Sequence, residues 1–426
     1  MALVGSSSRA LENYLSDPAK TNVESNTPSI ASKVLTYLIK GIASDVKEAV
    51  AHYAVDKFTK ENLYRWTWEV ITKLERAGIA IIAFTSDGGS SNRSFMKMNK
   101  PASEGEFIYD TINKTVPDRK LYFIADVPHL LKTIRNCCFY SSCEKRYHNQ
   151  QTGKMMLKRR LEKNGEKILW STIINVYNEE VNKTLRLCPK LNVQNVFLNS
   201  YSKMKVKYAA QVMSRSVAQL IEDMKLPNTK ETVEFIRRTN DFFDMLNGAH
   251  TQQGVRSRND NLLPYRSVTD ERFAKLEDFL SYLKDWQNDA ECKAANVTVD
   301  VSWQGRPGNE ESICGDDLDE PDLEEDSDPA SIRQLSKPTL EGIYVTVKGF
   351  TGAAQFLLES GVNSLMQECS ARTPWNSFSA NKGLNVEAVP IQILISFETM
   401  HGQSANRDSS AAKRAVRETL RWKIPP

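Results

Sequence analysis

Asp87 stands in Thr85-Ser86-Asp87-Gly88-Gly89, directly after the apolar run IAIIAFT (79–85). A short continuous apolar run suits a central strand covered on both faces. The carboxyl edge of an open α/β sheet is where sites form. A carboxylate there, beside flexible glycines, can hold a hard divalent cation through oxygen; an Asp-Gly pair also makes a turn that needs no ion. Asp126 closes a second apolar run, Leu121–Ala125, and is placed to cap a helix opening at Val127-Pro128. His129 packs or caps rather than ligates, because no second histidine lies near it. In FFDMLN (242–247), Phe243 and Asn247 fall four apart on one helix face with Asp244 between them. An aromatic ring, a carboxylate and an amide are the groups that recognise a purine, by stacking and by edge hydrogen bonds. The same spacing also describes a helix that faces a core. No GxxxxGK[ST] and no GxGxxG occurs, which disfavours a P-loop nucleotidase.

The elements that must position these residues follow from hydropathy. KVLTYLIKGI (33–42) reads as a buried strand, and a second short strand is placed near 51–55. Leu63, Trp66, Val70, Ile71 and Leu74 repeat at the spacing of one helix face over 61–77, with Gly78 as its stop. Strands at 79–85 and 121–125, alternating with helices, describe an α/β sheet. From about 128 to 290 helical periodicity dominates, in segments 168–187, 203–224, 229–248 and 270–289. The stretch 340–350 is predicted as a short extended piece and 351–361 as a helix.

Charge is uneven. The 426 residues carry 56 Lys or Arg against 53 Asp or Glu. Eleven of those acids, and no base, lie in 310–328, which leaves 42 acidic residues for the other 56 basic ones. Such a run repels itself and reads as a disordered linker, and the basic remainder suits a phosphate-rich partner. KMMLKRRLEKNGEK (154–167) is the strongest basic patch. No apolar stretch approaches the ~18 residues of a membrane span. The start has no secretory pattern, and the seven scattered cysteines, Cys137, Cys138 and Cys143 among them, show no zinc-site spacing. These features predict an intracellular, reduced protein.

Taken together, IAFTSDGGSSNRSF (82–95), FIADVPHLLKTIRN (123–136), LCPKLN (187–192), SKMKVKYAAQVMS (202–214), TNDFFDMLN (239–247) and GIYVTVKGF followed by LLESG (342–361) resemble the P-element transposase family in order and spacing over residues 1–365 or so. The resemblance implies an α/β fold, an incomplete RNase H-like domain interrupted by a mainly α-helical, GTP-binding insertion. It places the RNase H-like part at 1–126 and 339–365, the insertion at 127–300, the acidic linker at 301–338 and an aberrant tail at 366–426. It further implies Mg²⁺ at Asp87, matching the second carboxylate of an Asp-Asp-Glu set. It implies guanine-nucleotide contacts at Lys190, Val206, Phe243, Asp244 and Asn247, transposon-end DNA as partner, a homo-oligomer and a nuclear location. The zinc-coordinating DNA-binding domain and coiled coil found upstream in this family are not in the sequence. The first Asp and the third Glu of the set are not recognisable: Asp17 and Asp45 end no apolar strand, and QECSARTPWNSFSANKG stands where a QDPLE-like block is expected.

Back-translating Arg372 to Asn376 from each codon's third base permits DPLE, and the same shift over Asn385 to Gln392 permits CGGRTDPN. The first fits the family's missing block and the second is similar to the Gly-Gly stretch that follows its Glu, so a frameshift is placed between about 361 and 371. The chain is thus expected to be a truncated transposase with disabled two-metal cleavage and strand transfer. The alternative is a co-opted adaptor that binds GTP or nucleic acid without nuclease activity.

Overall fold

The computed structural model describes residues 33–42, 47–55, 59–141, 147–148, 155–156, 159–248, 251–295, 333–362, 364–365 and 387–396. The acidic run at 310–328, Cys143 and most of the tail beyond 365 lie outside them. The chain divides into two compact units, 1–124 with 372–426, and 125–371.

The first unit is a sheet with helices. β1 (Lys33–Gly41) and β2 (Lys47–Val55) form an antiparallel pair. α1 (Lys60–Arg76) opens on Thr59, whose hydroxyl accepts the Asn62 N–H at 3.2 Å. The helix buries Leu63, Trp68, Val70, Ile71 and Leu74, while Trp66 is half-buried and stacks on Tyr53 of β2 at 4.8 Å. Gly78, at φ +81°, turns the chain into β3 (Ala80–Ser86), which is buried throughout. α2 (Ser90–Lys97), β4 (Asp110–Ile112) and β5 (Lys120–Ala125) follow. Glu75, at the end of α1, gathers this region: its carboxylate accepts the Ile81 N–H and the Asn113 amide, each at 2.8 Å, and pairs with Arg119.

In the second unit, α3 (Val127–Tyr140) starts with Asp126 as its cap, accepting the His129 N–H at 3.1 Å. A tight ribbon, Glu162–Lys163 against Glu166–Lys167, turns on Asn164 (φ +51°) and Gly165 (φ +81°). Asn-Gly is the residue pair this turn requires. The described part of the basic patch at 154–167 is therefore no exposed helix: Arg159 and Lys163 are buried, and Glu162 pairs with Arg333 and Lys293. Then come α4 (Trp170–Val181), the short turns α5 (Val193–Val196) and α6 (Ser200–Lys203), α7 (Val206–Val212), α8 (Arg215–Asp223), α9 (Lys230–Leu246), α10 (Thr251–Ser257), a 3₁₀ turn (Asp260–Leu262) and α11 (Glu271–Ala295). The aromatic core joins α9 to α11 through Phe235–Trp286 at 5.6 Å and Phe242–Phe279 at 5.2 Å.

α12 (Lys337–Glu359) is one unbroken helix, and it groups with the second unit. The extended piece expected at 340–350 is absent. β-Branched Val345, Thr346 and Val347 are all buried on the helix, and the Ser336 cap with Pro338 in the first turn sets its start. Burial and capping override local strand preference. Gly342 lets α12 approach α3, since an added Cβ would meet Leu130 Cδ2 at 2.7 Å. Gly342→Ala should gain about 1 kcal/mol of helix propensity but lose about 1–3 kcal/mol to overpacking. Urea unfolding is expected to show a modest net loss of stability; a clear gain would mean that Leu130 moves aside freely.

β6 (Glu387–Ser396) returns to the first unit and completes the sheet order β2-β1-β6-β3-β5-β4. It runs parallel to β1 and antiparallel to β3. Pro390 sits opposite Thr36, outside the stretch 392–396 that pairs with β3, where a missing N–H is tolerated.

Candidate functional sites

In the first unit, β3 delivers Asp87 to the strand-to-helix turn before α2. Asp87 Oδ1 accepts the Gly89 N–H at 3.0 Å and the Asn92 side-chain amide at 2.7 Å. Arg93 donates to the Gly88 carbonyl at 2.7 Å, and Gly88 sits at φ +77°. The turn is therefore built on one carboxylate oxygen, Oδ1. Among the described residues no group of three His, Cys, Asp or Glu side chains is placed to hold a metal. Asp87 alone does not fit a two-metal site. Nothing in the sequence pattern marked Asn92 or Arg93, which both bond to this turn.

In the second unit, a row of hydrogen bonds joins several expected nucleotide residues. The Lys190 ammonium donates to Ser216 Oγ at 2.9 Å, at the start of α8. The neighbouring Arg215 holds Asp241 of α9 through both carboxylate oxygens, at 2.7 and 3.0 Å. The Arg215 N–H donates to Asn240 Oδ1 at 3.2 Å. Asn240 Nδ2 reaches Asp244 Oδ2 at 2.8 Å, and Asn259 Nδ2 reaches that same oxygen at 2.8 Å. Burial pushes the Asp244 carboxyl above its ordinary range; the two amides oppose that shift, Asp241 adds to it and Arg215 opposes it.

Phe243 is half-buried on α9, beside the fully buried Phe242. Asn247 ends α9, one turn beyond Asp244, and is also half-buried. Val206 opens α7 and is tied to this row only indirectly: Asn195 Nδ2 donates to the Lys190 carbonyl at 2.7 Å and to Gln211 of α7 at 3.1 Å. Lys190 thus reaches the chain neighbour of Arg215, whose own bonds lead through Asn240 to Asp244, with Phe243 and Asn247 on the same helix as Asp244, while Val206 stands outside this set. An open cavity of about 490 Å³ lies on α10, lined by Gln252, Gln253, Arg256 and Ser257, and none of the five expected residues lines it. Arg215, Asn240 and Asn259 were not expected from sequence. Asn240 falls one turn before Asp244, a spacing that could have marked it; Asn259 comes from the next turn of chain and carried no such signal.

Residues 11–100 match the RNase H N-terminal domain of TNP-like proteins, and residues 128–257 match their GTP-binding insertion domain. The Transposable element P transposase of Drosophila melanogaster is 27% identical over 184 residues, 42% of this chain. The chain belongs to the P-element transposase family. The matched stretch spans 22% of that relative's length. The Drosophila P element transposase strand transfer complex contains a chain of similar fold, with a TM-score of 0.57 and 17% identity over 97% of this chain and 84% of that one. The expected α/β fold with an RNase H-like part and a helical insertion is thereby established.

Proposed function

We propose that this transposase-family chain binds a guanine nucleotide through its helical insertion, and that the described part of its RNase H-like unit does not assemble a DNA-cutting centre. The row from Lys190 to Asn259 carries the reading, because it includes both a cation and a carboxylate. Lys190 offers charge to a phosphate, Phe243 a ring face to the base, and Asp244 Oδ1 an acceptor for the N1–H and 2-amino groups of guanine. Adenine presents a bare N1 acceptor to that carboxylate, so GTP is preferred over ATP. Val206 and Asn247 complete the family's contact set in this reading. Transposon-end DNA, a homo-oligomer and a nuclear location belong to the same proposal, as does Mg²⁺ at Asp87 once further ligands are supplied. A co-opted GTP- or nucleic-acid-binding adaptor is the second reading.

Titration of the full chain with labelled GTP and ATP tests the nucleotide. Removing a charge-assisted hydrogen bond costs on the order of 1.5–3 kcal/mol, about tenfold to a hundredfold in affinity. Asp244→Ala should lose that much for GTP and almost nothing for ATP. Equal, weak binding of both nucleotides, unchanged in Asp244→Ala, leaves the proposal without support.

A further inference from the structure

Asp244 is held from two sides on a single oxygen. Asn240 lies one turn earlier on α9, and Asn259 comes from the segment between α10 and the 3₁₀ turn; both amides end on Oδ2 at 2.8 Å. Oδ1 has no hydrogen bond to a described residue. Each asparagine is itself anchored through its own oxygen: Asn240 Oδ1 accepts the Arg215 N–H at 3.2 Å, and Asn259 Oδ1 accepts the Asn261 N–H at 3.1 Å. The Asn259 N–H is tied to the Gly254 carbonyl at 3.0 Å. The amides therefore cannot flip without losing an acceptor contact at each end.

We infer that Asn240 and Asn259 are positioning residues for nucleotide recognition: they clamp Asp244 Oδ2 and leave Oδ1 as the acceptor that meets the base. This rests on the nucleotide reading above. A carboxylate with both oxygens free would be able to rotate about its side-chain bond. A clamped one presents one oxygen in a fixed direction, which is what strong rejection of the wrong base needs. The clamp also supplies two donors that oppose the upward push of burial on this carboxyl.

The charges around Asp244 are few. Asp241 is on its own helix and is paired with Arg215 of α8. The other elements packed on α9 place their charges elsewhere. Asp278 of α11 pairs with Arg238, and Glu166 of the ribbon accepts the Glu231 N–H at the far end of α9. On α3, Arg135 is buried and donates to the Lys203 carbonyl. Asp260 sits next to Asn259 and is exposed.

Two substitutions separate positioning from folding. Asn259→Asp and Asn240→Asp each keep the oxygen that anchors the side chain, so each keeps its backbone contact. Each replaces the donor facing Asp244 by a like charge, which raises the Asp244 pKa. GTP affinity in the full chain should rise with pH as Asp244 ionises, and in either variant that rise should move to higher pH. At neutral pH both variants should bind GTP about tenfold or more weakly than the parent chain, with ATP binding unchanged. Thermal unfolding of each variant without nucleotide reports folding separately. A parent chain that shows no preference for GTP over ATP defeats the nucleotide reading itself. A parent chain that does prefer GTP, with both variants following its affinity–pH curve, overturns the clamp alone.

Discussion

Replacing Arg272 by methionine is expected to destabilise the helical unit by about 3–5 kcal/mol, the cost of breaking a buried ion pair by removing one partner. Arg272 is 5% exposed. Its guanidinium pairs with Asp270 at 2.7 Å, donates to the carbonyls of Leu263 and Pro264, and lies 3.7 Å above the ring of Tyr265. Tyr265 in turn stacks on Phe273 at 5.0 Å and meets Phe350 of α12 at 5.1 Å, so one cation organises the junction of α11, α12 and the loop before them. Methionine matches the stem's volume but takes the guanidinium from the Asp270 carboxylate and from two carbonyls, leaving Asp270 only the backbone N–H of residue 272 at 3.0 Å. Burial pushes the Asp270 carboxyl up, but bonding to Arg272 outweighs it and holds the group below its ordinary range. The stability this pair adds is therefore present above the unfolded-state pKa of Asp270 and is lost as pH falls through the lower folded-state value. Arg272→Met should flatten that acid dependence as well as lower the melting temperature, by roughly 2–4 °C per kcal/mol in a unit this large. A variant that melts with the parent chain would show that the loop carbonyls find water instead.

The second large effect is on DNA. Incubated with transposon-end DNA and Mg²⁺ or Mn²⁺, the purified chain is expected to leave the DNA intact. Phosphodiester cleavage by two metals needs both the attacking and the leaving oxygen to be stabilised, and Asp87 is one carboxylate with one oxygen already spent on its turn. Asp87→Ala should then change no cleavage rate. It should instead loosen the β3–α2 turn, because the Gly89 N–H and the Asn92 amide lose their acceptor. Metal-dependent cleavage that disappears in Asp87→Ala would show that further carboxylates join it.

How far the sequence discloses this molecule depends on how local each signal is. IAIIAFT and LYFIA are read as buried strands because continuous apolar runs bounded by turn residues admit little else, and both are strands in the sheet. Asp126 is legible as a cap because proline two residues later fixes a helix start. The segment 203–224 is one helix by periodicity, yet it breaks into α6, α7 and α8, where Met204 and Met213 end turns that apolar spacing alone runs through. YVTV (344–347) misleads in the other direction, since its strand preference is overruled by a cap eight residues upstream and by burial on both sides. β6 escaped notice because Pro390 argues against a strand, and only its pairing with β1 shows that the proline falls where no second neighbour needs an N–H. At the nucleotide row, Phe243, Asp244 and Asn247 stand out as one motif. Asn240 shares their helix spacing, one turn before Asp244, but Asn259 does not stand out, because a hydrogen bond between residues 15 positions apart leaves no periodic trace.

The place of β6 in the sheet has a consequence for how the chain is made. Among the described residues, β2–β1 on one side and β3–β5–β4 on the other are joined through a strand that begins at Glu387. A ribosome adding about 5–20 residues per second needs roughly 20–70 s to travel from Gly41 to that point. Through this interval β1 and β3 have emerged, and each presents an unpaired apolar edge while the whole helical unit is being synthesised between them and their shared neighbour. Helical contacts close early and locally, whereas this pairing closes late and over about 350 residues. Slowing translation is therefore expected to lower the chain's soluble yield more than it would that of a protein whose sheet is contiguous in sequence.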